Sequence, residues 1–108
     1  MANSKIVNTP SQAVAQAGTT HVQRTIAGTA VPIINFTLNP NTTHVFIQFN
    51  GANARVTLDG VTNPTTSLGF QYPDGSTAYW PRELALSARA IQDDVTNVIC
   101  EIQQLNFL

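Results

Sequence analysis

The chain has 108 residues, the size of one domain and enough for one core without disulfide staples. Charged residues make up 10 % of it and the formal net charge is −1, against about 25 % charged in an average domain. Lys5, Arg24, Arg55, Arg82 and Arg89 are scattered along the chain, which argues against a nucleic-acid partner, and no apolar run approaches the ~20 residues of a membrane-spanning helix.

Residues 1–20 are poor in large apolar side chains, and Ile6, Val7 and Val14 are the exceptions. The start, Met-Ala-Asn-Ser-Lys, lacks the apolar core of a secretion signal, so synthesis in a cytoplasm is expected. Without a hydrophobic period to bury, the segment reads as an extended N-terminal arm whose contacts, through Ile6, Val7, Val14 and Gly18, lie on another protein chain. Fully extended, eighteen residues reach on the order of 60 Å.

From His21 the pattern has period two. Val22, Arg24 and Ile26 alternate with Gln23 and Thr25, and Gly28 ends the run. Val31–Leu38 resumes it, with Pro32 marking an edge or a strand entrance. Asn39-Pro40-Asn41 is a turn. Thr43–Phe49 places Val45, Ile47 and Phe49 on one side and His44 and Gln48 on the other, while Phe46 puts an apolar ring on the polar side. Asn50-Gly51 suits a tight reversal, and Ala54–Asp59 alternates again, so an antiparallel hairpin is expected here. Val61–Gly69 reads as a long connection, the crossover between sheets that a Greek key needs.

Phe70, Tyr72, Tyr79 and Trp80 flank the turn Pro73-Asp74-Gly75. Such rings usually fill a core, and the alternative is a surface role for Phe46, Tyr72, Tyr79 and Trp80, on a protein partner or a sugar ring. Leu84–Ile91 is read as a strand ahead of a turn at Asp93-Asp94, where solvation would leave both carboxylates ordinary. Thr96–Leu108 closes the domain, with Val98, Cys100 and Ile102 facing in; Gln103-Gln104 suggests that the inward face changes there through a bulge. The lone cysteine, Cys100, reads as a small buried hydrophobe. The expected fold is all-β: a small sandwich or jelly roll of seven or eight strands over residues 21–108, preceded by the arm.

Little here suggests chemistry. His21, His44 and Cys100 are too few and too dispersed to suggest zinc, and no EF-hand spacing occurs. Asp59 and Asp74 precede glycines, as turns favour, and no serine sits in G-x-S-x-G. No catalytic residue, metal ligand or cofactor is assigned.

The alternating strand with Arg55, then Asp59-Gly60, then Pro64-Thr65-Thr66 and Gly69, resembles small virion proteins of tailed bacteriophages. A Pro/Asp/Gly turn and an Arg-containing strand near Arg89 continue the likeness, which spans roughly Thr43 to Leu105 and departs from the pattern at Asn63, inserted before the proline. The resemblance implies a virion structural protein. Its first form is a decoration (cement) protein that binds and stabilises the capsid exterior, with the major capsid protein or another virion protein as partner. A tail, head–tail junction or fibre-base subunit is the alternative. Self-association, as a trimer, is expected from the uncharged polar surface and the apolar end Asn106-Phe107-Leu108. A carbohydrate-binding module is the reading from a different class.

Overall fold

The computed structural model describes residues 13–16 and 20–107. Among them run β1 (Ala13–Ala15), β2 (His21–Ile26), β3 (Val31–Pro32), β4 (His44–Asn50), β5 (Ala54–Thr57), β6 (Phe70–Tyr72), β7 (Thr77–Pro81), α1 (Arg82–Ser87), β8 (Arg89–Gln92) and β9 (Val98–Phe107). The strands form two antiparallel sheets, with order β2-β9-β4-β7 in the larger and β3-β8-β5-β6 in the smaller. β1 pairs with the last residues of β9, on the same side as β2. Read from the same edge, the two orders match each strand with its neighbour in sequence: β2 with β3, β9 with β8, β4 with β5, β7 with β6. This is the jelly-roll arrangement, and nearly every loop is an arch from one sheet to the other.

The expected hairpin at Asn50-Gly51 does not form. β4 pairs with β9 and β7, and β5 pairs with β8 and β6. The two strands each have one apolar face, Val45, Ile47 and Phe49 on one and Ala54 and Val56 on the other, and all five are fully buried. An arch lets those faces meet across the core, whereas a hairpin would set them side by side in one sheet. Gly51 takes the arch at φ +89°, and its N–H donates to Asp74 Oδ1 at 2.8 Å, tying two arches together.

Other expectations are corrected by the same core. Residues 58–69 join β5 to β6 within the smaller sheet and do not cross between sheets. The strand read over Val31–Leu38 is only Val31–Pro32; Ile33, Ile34 and Leu38 are all buried, and three residues of mixed parity cannot share one strand face. Pro32 does lie in an edge strand, β3. Leu84–Ile91 is not one strand: α1 occupies Arg82–Ser87, and β8 begins at Arg89. Pro81 precedes the helix with extended ψ, Ser87 Oγ donates back to Glu83 O at 3.1 Å, and Ala85 faces the core, so one short turn seals an end of the sandwich.

No change of face occurs at Gln103-Gln104. The pairing of β9 with β4 runs unbroken from Ile99↔Asn50 to Leu105↔His44. Gln104 therefore points inward and is 1 % exposed. Its Oε1 accepts from the Asn39 N–H at 2.7 Å and from the Thr42 hydroxyl at 2.6 Å, which satisfies a polar group in the core. Asp93 is likewise no ordinary turn carboxylate: it is largely buried and accepts from Arg55 Nε at 3.2 Å.

Candidate functional site

Strand register places the outward side chains of the larger sheet in rows. Tyr79, Phe46, Gln103 and His21 form one row, and Pro81, His44, Leu105 and Ala15 the next. Phe107 follows along β9. Phe46 is 40 % and Tyr79 50 % exposed. The Phe46 and Tyr79 rings meet edge-on at 6.0 Å and 75°, Tyr79 and Phe107 at 5.7 Å and 89°, and His44 lies 4.3 Å from Phe107. Thr43 fixes this end, because its Oγ1 accepts from the Phe107 N–H at 2.9 Å and lies 3.1 Å from His44 Nδ1. Four aromatic rings thus cluster on a sheet face that no part of the described chain covers.

The rim is polar. His21 Nε2 lies 2.7 Å from Glu101 Oε1, and Gln23 donates to Glu101 Oε2 at 2.6 Å. The hydrogen bond with Glu101 raises the His21 pKa, and that with His21, helped by Gln23, lowers the Glu101 pKa. The β7 side of the face ends in an edge strand. Arg82 N donates to Thr43 O and Phe49 N to Ser76 O, so in this register the amides of Ala78 and Trp80 turn toward β4. Those of Thr77 and Tyr79 turn toward the open edge, where Pro81, the next residue on that side, has no N–H to offer.

The four proposed surface aromatics are divided by the fold. Trp80 is 7 % exposed and belongs to the core. Tyr72 is half-buried and packs on Phe49 at 4.8 Å and on Trp80 at 5.9 Å. Strand parity requires this: Trp80 and Tyr79 are consecutive, so one ring faces in and the other out. His44 joins the cluster from the outward side of β4, where alternation places it, and Phe107, from the apolar end of the chain, faces outward because the alternation carries on through Gln104 as an inward residue. Of the arm residues, Val14 lies in β1 and is exposed, while Ile6, Val7 and Gly18 fall outside the described residues. Ala13–Ala15 pairs with Leu105–Phe107, so this part of the arm belongs to the domain's own sheet.

The residues that carry the phage resemblance come together as the scaffold of one loop. Arg55 Nη1 donates to Gly69 O at 3.0 Å, and Pro64 is fully buried. Thr65 and Leu68 form a bridge. Asp59 accepts from the Thr62 hydroxyl and from the N–H groups of Thr62 and Val61, which pull its pKa down to about 2 and wind the chain past Gly60. Leu68 and Phe70 stay exposed beside this loop, at an edge of the smaller sheet. Among the described residues no three His, Cys, Asp or Glu side chains stand together as metal ligands would. No family profile, curated protein or solved structure matches the chain.

Proposed function

We propose that the protein is a structural component of a tailed-phage virion, a decoration protein of the capsid exterior, and that it docks through the outer face of its larger sheet. The observation that supports this reading is the uncovered cluster of Phe46, Tyr79, His44 and Phe107, set among Gln48, Gln103 and Thr77. Exposed aromatic rings with a polar rim, uncharged apart from the His21–Glu101 pair at one side, match the centre and rim of a protein–protein interface. Burying such a face desolvates few charges, which keeps the cost of association low. The capsid exterior, with the major capsid protein as partner, comes from the resemblance, and so does a role without catalysis. Self-association, as a trimer, belongs to the same reading, and light scattering on the eluting protein at tens of micromolar checks it: a monomer mass removes that part.

The test is attachment to purified particles. Wild type should co-sediment with heads, and Phe46→Ser with Tyr79→Ser should weaken attachment at least about 100-fold. The double variant should keep its stability within about 1 kcal/mol, since both rings are already exposed. Equal attachment of the variant, or no attachment of wild type, overturns the proposal; co-sedimentation with tails alone selects the tail reading. A carbohydrate platform is less favoured, because Trp80 is buried and Phe46 and Tyr79 meet edge-on rather than lying side by side in one plane.

A further inference from the structure

Val22, Arg24 and Ile26 are the inward residues of β2, an edge of the larger sheet, so Arg24 enters the open side of the sandwich where β2 lies over β3. Its Nη2 donates to Pro32 O at 2.9 Å. Its Nε is sealed from solvent and has no acceptor among the described residues. Beside it opens a hollow lined by Thr25, Asn35, Phe36, Thr37 and Asn39. None of these carries a charge.

Among the described residues no carboxylate pairs with this guanidinium. The ion pairs among the described residues join His21 to Glu101 and Arg55 to Asp93. All six acidic side chains are among the described residues, and residues 1–12, 17–19 and 108 contain no Asp or Glu. Cys100, opposite Arg24 in register, is no substitute, because burial pushes its pKa up to about 12 and it stays a neutral thiol. A partly buried guanidinium without a counter-anion is costly, and an incoming anion returns part of that cost.

We infer that the hollow beside Arg24 is a binding site for a carboxylate. One fixed cation matches one negative charge, whereas a phosphate dianion would leave surplus charge in a part-buried place. The planar guanidinium suits the two oxygens of a carboxylate, and Asn35 and Thr37, which line the hollow, carry further amide and hydroxyl groups. The carboxylate can come from a small free acid or from an Asp, Glu or C-terminus of another protein. The inference does not depend on a role in a virion.

Titrating isotope-labelled protein with sodium acetate, with sodium chloride at matched ionic strength as control, reads the site through the Arg24 Nε–H resonance. The expected result is a saturable shift with acetate, none with chloride, and weaker binding of inorganic phosphate than of acetate. Arg24→Lys, which keeps the charge and loses the fork, should weaken acetate binding at least about tenfold, read on the Asn35 side-chain amide. Arg24→Gln should abolish it; if that variant does not fold, the lysine variant decides. A shift that is equal for chloride, that does not saturate, or that survives unchanged in Arg24→Lys overturns the inference. A blocked aspartyl peptide separates the sources: binding as tight as acetate indicates a protein carboxylate, and exclusion indicates a free acid.

Discussion

Gln104 is sealed in the interior, and its side-chain carbonyl oxygen accepts from one loop amide and one hydroxyl, those of Asn39 and Thr42. Replacing it with leucine keeps the volume and strands both donors, so Gln104→Leu should lose about 2–3 kcal/mol, read as a lower urea midpoint. His21 and Glu101 make a pH-dependent prediction at the surface. The His21 pKa is raised above its ordinary 6.5, so its contribution is full below that value and fades as pH rises through the higher folded value. The Glu101 pKa is lowered below 4.5, so its contribution is present above that value and is lost as pH falls through the lower folded one. The stability difference between wild type and His21→Gln should therefore peak between pH 4.5 and 6.5 and shrink with added salt. A difference flat across that window would mean that the pair contributes nothing. At this scale the sequence was partly legible. Cys100 is buried as expected, whereas the polarity of Gln104 points to the surface, and the partners that let it sit inside lie 62 and 65 residues away in the chain.

Strands were legible as elements and illegible as neighbours. Alternation located β2, β4, β5 and β9, since period two is a local property of the chain. Pairing is not local: Asn50-Gly51 fits a hairpin and an arch alike, and the choice falls to β9 and β7, which together occupy both edges of β4. The loop between β5 and β6 shows how turn residues can specify position where no strand does. Gly69 has φ +124°, and a Cβ there would meet Val56 O at 3.0 Å. Gly69→Ala should thus cost about 2 kcal/mol or more, from backbone strain together with the close contact. The substitution should also loosen the Arg55 to Gly69 hydrogen bond, seen as faster hydrogen exchange across β5 and β6. Stability equal to wild type would show that the loop can relax without the glycine.

At the scale of the molecule, β2 to β9 complete two four-stranded layers, and β1 stands outside that plan. It adds three paired residues at the end of β9, beside Phe107 and the aromatic face. The reading of an arm devoted to a partner therefore needs division: residues 13–15 belong to the domain's own sheet, and Ala13 lies opposite Phe107, at the end of β9 where the rings cluster. Three ladder pairs with small side chains bury little apolar area, so they hold the core only weakly. Deleting residues 2–18 should leave a folded jelly roll, with a loss of about 1–2 kcal/mol and near-ultraviolet dichroism from Trp80 unchanged. Hydrogen exchange at the Asn106 amide should rise, because it turns toward β1, while the Phe107 N–H keeps Thr43 Oγ1 on the β4 side of β9. Attachment to particles separates the two roles of the segment. If the truncated protein binds as wild type does, docking resides in the sheet face alone; if it folds and binds at least about tenfold more weakly, the segment reaches the partner as well. Global unfolding on deletion would instead make β1 part of the structural core, and the division drawn here would fail.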